Sequence, residues 1–63
     1  MFKVKFAGGP LGGETHDTAV QPASGFWIGI SHNGRREWTL YLVVHRYGHC
    51  LLAEADKQVA VEG

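Results

Sequence analysis

The middle of the chain reads FWIGISHNGRREWTLYLVVH over residues 26–45, and this stretch decides the fold. Apolar and aromatic residues lie on both sides of Asn33-Gly34, the residue pair that type I′ hairpin turns prefer. A two-residue turn there predicts strands over 26–30 and 37–45. The register predicts facing pairs on both sides of the sheet: Trp27 with Leu40 and Gly29 with Trp38, then Phe26 with Tyr41 and Ile28 with Thr39.

Strand patterns also flank this hairpin. At the amino-terminal end, Phe2, Val4 and Phe6 alternate with lysines, which predicts a half-buried strand. The glycine-rich segment 7–13 ends that strand, and residues 14–20 can return as a second one. After the central hairpin, Gly48 predicts a tight turn that leads into a strand over 49–53. The register after Val44 stays open, because the loop can have two or three residues.

Residues 55–62 fit two patterns. The first is a turn over 55–58 followed by a short edge strand over 59–61. The second is a helix over 51–61, because Leu51, Leu52, Ala55 and Val59 fall roughly on one helical face. We prefer a strand as far as about Glu54, and the sequence does not decide between strand and helix beyond it.

These elements predict one small domain over residues 1–63 that is all-β, or nearly so. We expect a curved antiparallel sheet of four to five strands, or a small barrel. Most of the core is expected from apolar residues that alternate along the strands: Phe2, Val4, Phe6, Ile28, Ile30, Trp38, Leu40, Leu42 and Val44.

Composition argues against several classes of function. The 63 residues include six basic and six acidic side chains, so the formal net charge is zero. Nucleic-acid binding draws its affinity mainly from an excess of Lys and Arg, which this chain lacks. The single cysteine and the lack of a signal-peptide pattern predict a cytoplasmic location. No stretch approaches the ~20 apolar residues that span a bilayer, so we expect no membrane partner.

The histidines and the cysteine near the second turn are candidates for metal binding or catalysis. His45, His49 and Cys50 lie around that turn, and a two-residue loop would place His45 opposite Cys50. A structural zinc site needs four ligands, so His16 or His32 would have to complete it. A nucleophilic Cys50 would need a histidine base, an orienting group such as Glu54 or Asp56, and a pocket. We therefore expect no metal, no cofactor and no enzymatic activity.

The glycine-rich segment has a phosphate-binding interpretation and a structural one. Residues 8–13 follow a strand, as a phosphate loop does, but they lack the Gly-Lys-Ser/Thr ending and no convincing helix follows. We therefore interpret the segment as a tight turn with close backbone contacts.

The tip of the central hairpin is the candidate contact surface. Arg35 and Arg36 lie beside His32, and aromatic residues follow further along the strands. Arginine, tryptophan and tyrosine are enriched at the energetic centres of protein interfaces. The predicted contact residues for a partner are Trp27, Arg35, Arg36, Tyr41 and Tyr47.

The segment Phe6-Ala7-Gly8-Gly9-Pro10-Leu11-Gly12-Gly13-Glu14-Thr15 resembles a known family. It is similar to small phage and prophage proteins that begin with a short strand followed by Gly-Gly-Pro-Leu-Asp-Gly, with Gly12 here in place of the Asp. Those proteins often carry a later tyrosine-rich strand, to which residues 38–42 are loosely similar. The resemblance implies a phage or mobile-element origin and a β-rich fold. It implies no site residues, because the family is largely uncharacterised.

Size, neutral charge and the phage-like start lead to one functional hypothesis and two alternatives. We expect a small phage-encoded accessory protein that binds a host protein and modulates it, for example a defence protein, by covering its surface. One alternative is a homo-oligomer or a minor component of a virion, because exposed strand edges favour self-association. The other is a module that binds a metal or a nucleic acid.

Overall fold

The computed structural model describes residues 1–62, and the side chains of His32 and Glu62 lie outside its described part. Five strands make one sheet: β1 (Phe2–Ala7), β2 (Thr15–Thr18), β3 (Gly25–His32), β4 (Arg35–Tyr47) and β5 (Cys50–Glu62). Their order across the sheet is β2-β1-β5-β4-β3, and the sheet curls into a half-barrel. The prediction of an all-β fold is confirmed. Among the described residues there is no helix long and apolar enough to cross a membrane.

The central hairpin has the predicted turn and the predicted register. Asn33 and Gly34 both have positive φ, at 50° and 75°, as a type I′ turn requires. All four predicted pairs are present: Trp27 faces Leu40, Gly29 faces Trp38, Phe26 faces Tyr41 and Ile28 faces Thr39. Local turn chemistry is therefore sufficient to set how β3 and β4 align.

The second hairpin has a two-residue turn, one of the two lengths that the sequence left open, and its last strand is much longer than predicted. Tyr47 pairs with Cys50 across a two-residue turn, and β5 then runs without a break to Glu62. Both the predicted turn over 55–58 and the competing helix are wrong. Register shifts leave Val44 of β4 and Asp56 of β5 without a paired residue, as in β-bulges. Pairing with the long β4 holds residues 55–62 extended, although their own sequence favours no strand strongly.

The sheet is mixed, so the prediction of purely antiparallel pairing is wrong. β1 lies antiparallel to β2 but parallel to β5, with Val4 opposite Leu51 and Phe6 opposite Ala53. Alternation of apolar residues predicts that a segment is a strand but carries no information about the direction of its neighbour. The amino-terminal hairpin therefore extends the sheet at β5 and does not cover the second face of the central hairpin.

The core lies on the concave side of the half-barrel, which we call the inner face. Its buried members are Val4, Phe6, Tyr41, Leu51 and Ala53, and the apolar residues packed against them are Phe2, Leu11, Phe26, Ile28 and Val43. Five residues that were predicted in the core are not among these: Ile30, Trp38, Leu40, Leu42 and Val44. β4 is apolar on both sides, so its alternation could not indicate which side becomes the core.

Tyr41 joins the core to the glycine-rich segment. Its ring packs edge-to-face on Phe6, with 4.8 Å between ring centroids, and its side chain has no exposed surface. Its hydroxyl donates to the carbonyl oxygen of Gly8 (2.9 Å) and accepts from the amide of Leu11 (3.0 Å). A Cβ on Gly9 would lie 2.6 Å from this hydroxyl, so only glycine fits there. The interpretation of residues 8–13 as a tight turn is confirmed.

We expect Tyr41→Phe to reduce the free energy of unfolding by about 1–3 kcal/mol, because the Gly8 carbonyl and the Leu11 amide both lose a partner. Urea unfolding measures the difference. Tyr47→Phe is the matched control: Tyr47 is 72% exposed, and no described residue hydrogen-bonds its hydroxyl. The control should change stability by less than about 0.5 kcal/mol. Equal losses in the two variants would contradict the role assigned to the Tyr41 hydroxyl.

Thr39 offers a prediction of opposite sign. It is 2% exposed on the inner face, and its Oγ1 has no hydrogen-bond partner among the described residues. Thr39→Val should therefore raise the free energy of unfolding by up to ~1 kcal/mol, since an unpaired hydroxyl is replaced by a methyl group of similar volume. Thr18→Val is the control. The Thr18 hydroxyl hydrogen-bonds the backbone of Val20, so its removal should lower the free energy of unfolding. A clear loss of stability in Thr39→Val would refute the prediction.

Candidate interaction surface

The three longest strands project beyond the amino-terminal hairpin as an arm. β1 pairs with β5 only over residues 50–54, whereas β4 pairs with β5 as far as Glu62. The arm consists of residues 27–40 with residues 57–62, and it gives the molecule its elongated shape of 38 × 20 × 19 Å. Because no strand pairs with the other side of residues 55–62, the arm is only three strands wide.

The arm carries an apolar patch on the side opposite to the core, which we call the outer face. Directly opposite residues of neighbouring strands lie on the same face, so Val59 lies beside Trp38, and Val61 beside Arg36. Trp27, Val59 and Val61 are each about half exposed, at 48%, 48% and 49%. We call this surface the arm patch: Trp27, Arg36, Trp38, Val59 and Val61.

Gly29 sets the position of Trp38 within the arm patch. A Cβ on Gly29 would lie 2.7–2.9 Å from three atoms of the Trp38 ring. The indole therefore lies directly over the glycine and fills the space that a side chain would take. This contact flattens Trp38 against the sheet and makes it a rigid floor for the patch.

Arg36 is held over that floor. The centre of its guanidinium lies 5.7 Å from the Trp38 ring centroid, within the range of a cation–π interaction. Its Nε and Nη2 both donate to Oγ of Ser31, at 3.3 Å each. A guanidinium has five N–H donors, so most of its donors can still serve a partner. The side chain is thus ordered before any partner binds, which lowers the entropy cost of binding.

A shallow concavity of about 360 Å³ opens beside Arg36. Trp38 and Val61 form its apolar part, and the rest of its lining comes from one serine, one glycine and two arginines: Ser31, Gly34, Arg35 and Arg36. Glu37 projects to the inner face, where its carboxylate accepts a hydrogen bond from Gln58 (3.1 Å). Among the described side chains the one ion pair is that of His16 with Glu14, so no described carboxylate neutralises Arg35 or Arg36. The concavity therefore combines an apolar floor with positive charge.

The structure brings together three of the five predicted contact residues. Trp27 and Arg36 are in the arm patch, and Arg35 lines the adjacent concavity. Tyr41 is wholly buried, so no partner can touch its side chain on the folded chain. Tyr47 is exposed, but it lies eleven residues after Arg36 along β4, which is roughly 35 Å of strand. His32 adjoins the tip by sequence, and its side chain is outside the described part.

Three residues of the arm patch were not predicted as contacts. Trp38 was predicted in the core, as one of the apolar residues that alternate along the strands. Val59 and Val61 were placed in a short edge strand of uncertain conformation. Val59 and Val61 alternate with Gln58 and Ala60, which indicates that the two valines share one face of a strand. Which face that is follows only from the pairing of Val59 with Trp38.

The histidine and cysteine group is dispersed in the fold. The turn has two residues, but they are 48 and 49, so Cys50 pairs with Tyr47 and His45 with Leu52. The prediction that a two-residue loop places His45 opposite Cys50 is therefore wrong. His49 packs against Phe2 (4.9 Å between ring centroids), whereas His45 stacks on Tyr47 (6.0 Å). Phe2 is on the inner face and Tyr47 on the outer face. Among the described side chains, which exclude those of His32 and Glu62, no three His, Cys, Asp or Glu residues are grouped as metal ligands would be.

A second concavity, of about 340 Å³, lies on the inner face between β1 and the loop that precedes β3. Its walls are mainly apolar, with Val4, Phe6 and Phe26 on one side and residues 20–23 on the other. His16 borders it, and its Nε2 lies 2.9 Å from Oε1 of Glu14. This second concavity extends from the core to the surface, and no cluster of charged side chains is among its lining residues.

Gly29→Ala tests how Trp38 is placed. The added methyl group would meet a rigid indole, so we expect displacement of the ring and a loss of about 1–3 kcal/mol. The near-ultraviolet circular dichroism spectrum, which reports on the packing of aromatic rings, should change when the indole is displaced. Gly25→Ala is the control: its nearest contact is Cδ2 of Leu42 at 3.1 Å, the far end of a flexible side chain, so a smaller effect is expected. An unchanged aromatic spectrum in Gly29→Ala would contradict the contact.

No protein-family model, curated protein or solved structure matches this chain. The function of the arm patch must therefore be inferred from its own residues, contacts and charges.

Proposed function

We propose that this chain is a small phage-encoded accessory protein that binds a host protein through the arm patch and acts by covering part of its surface. It works in the cytoplasm of the host and without catalysis. The single observation that carries the proposal is Arg36, held by Trp38 and Ser31 above an exposed apolar floor. An ordered arginine beside a tryptophan is typical of the few residues that dominate binding energy at protein interfaces.

The chemistry of the patch favours one kind of partner surface. The floor of Trp38 and Val61 suits an apolar or aromatic side chain, and the guanidinium of Arg36 suits a carboxylate next to it. The partner that we propose therefore presents an acidic residue beside an apolar anchor. Nucleic acid is disfavoured, because a phosphate backbone needs an extended row of cations and the chain has zero net charge.

The host context of the proposal rests on the resemblance at residues 6–15. Small phage proteins of neutral charge can inhibit a host protein by occlusion, which needs an interface of about 800 Å² on each partner. That area is roughly one fifth of the 4304 Å² surface of this chain, so the arm alone can supply a large part of it. A host defence protein is the class of target that we propose.

Arg36→Gln tests the proposal because it removes the charge of a patch residue. Affinity capture from a host lysate, followed by titration calorimetry with the purified partner, should show binding weakened at least about tenfold relative to the unmodified chain. Arg46→Gln is the matched control, since Arg46 is an exposed arginine near the other end of β4. It should bind as the unmodified chain does.

Val61→Glu provides a second test at the apolar floor. A carboxylate at this half-exposed position should reduce binding of an acidic partner further, while the thermal midpoint of the variant reports whether the fold is intact. The proposal fails if no captured protein loses affinity in either patch variant. It also fails if the captured ligand is nucleic acid.

A further inference from the structure

The edge of β3 that faces away from β4 is not protected against pairing with another strand. β3 is the last strand of the sheet, so one side of its backbone has no neighbouring strand. Residues 25–32 contain no proline and no Lys, Arg, Asp or Glu, and their register with β4 has no bulge. Proteins usually guard edge strands with such features to prevent pairing with other chains. An eight-residue, uncharged edge is therefore well suited to pair with another strand.

The backbone groups that face this edge can be identified. The amide of Val43 donates to the carbonyl oxygen of Ser24 (2.8 Å), so these two residues form a hydrogen-bonded pair. Hydrogen-bonded pairs alternate along an antiparallel ladder, so Phe26, Ile28 and Ile30 also direct their backbone groups toward β4. The residues between them direct theirs away from β4 and are all exposed: Gly25, Trp27, Gly29 and Ser31.

We propose that a second copy of this chain pairs antiparallel with β3, with Ile28 of the two copies at the two-fold axis. In this register Trp27 is opposite the partner's Gly29, and Gly25 is opposite the partner's Ser31. All four outward-facing residues of each copy then find a partner, which gives about eight hydrogen bonds between chains. Symmetric registers centred on Trp27, Gly29 or Ile30 leave some of these groups unpaired within the strand.

The side chains are complementary in the same register. On the outer face, the indole of Trp27 lies beside the partner's Gly29, which has no side chain of its own. There it comes next to the ring of the partner's Trp38, which covers that glycine. On the inner face, Phe26 is opposite the partner's Ile30, a pairing of an aromatic with a β-branched residue that stabilises sheets. No like charges face each other, because the strand carries none.

An edge-to-edge contact of this length buries less area than a standard interface, so we expect a reversible dimer in the micromolar range. The inference does not rest on the arm patch as a binding site. Pairing of β3 uses its backbone groups together with Trp27 and Trp38 of the arm patch, but it does not use Arg36 or Val61. Failure of one proposal therefore leaves the other standing.

Sedimentation equilibrium of the unmodified chain should show a mass that rises from monomer to dimer with concentration. The register is tested by Ile28→Cys in a Cys50→Ser background, with oxidised glutathione as the oxidant that takes up the two thiol hydrogens. Directly opposite residues of a non-hydrogen-bonded pair have Cα atoms about 4.5 Å apart, which a disulfide can bridge. We therefore expect a covalent dimer.

Ile30→Cys in the same background is the matched control. Its two copies would lie roughly 13 Å apart along the paired strands, too far for a disulfide. Both isoleucines are half-buried on the inner face, so the two variants should fold alike. A strict monomer at all concentrations would overturn the inference, and so would equally fast cross-linking of the two variants.

Discussion

The hydroxyl of Tyr41 makes the contact on which the rest of this sheet depends. It bonds the backbone of Gly8 and Leu11, segments about thirty positions away in the chain, from a side chain with no exposed surface. A chain of 63 residues buries only about 60% of its unfolded surface and has no disulfide to support it. A buried tyrosine that closes the glycine-rich turn over the core therefore joins the amino-terminal hairpin to the central one.

That contact determines which face of β4 becomes the core. Once Tyr41 and Thr39 point inward, the alternation of the strand directs Trp38 and Leu40 outward. The outer face receives no covering element, because β1 and β2 extend the sheet beyond β5 and do not stack on it. The apolar residues that a larger protein would bury thus remain available for contacts with other molecules.

The arm offers two kinds of contact that use different physical features. The arm patch has side chains as its recognition elements, with one arginine ordered by an indole and a serine. The edge of β3 has backbone groups as its recognition elements, spaced by the regular ladder to β4. Antiparallel pairing of two copies would bring their arm patches together at Trp27, which comes next to the partner's Trp38. Arg36 would stay uncovered, because Ser31 beside it is then opposite the partner's Gly25, which has no side chain.

The sequence by itself determined the two strands of the central hairpin and the register between them, because Asn33-Gly34 sets the turn through local backbone preferences. It also predicted Trp27, Arg35 and Arg36 as contact residues, and the fold places all three on the arm. Only the tertiary structure decided the parallel neighbour of β1, the length of β5 and the face that holds the core. Those features depend on contacts between distant segments, of which Tyr41 with Gly8 and Trp38 with Val59 are the decisive examples. Alternation along one strand cannot encode them, because it gives two faces without saying which one another segment will cover.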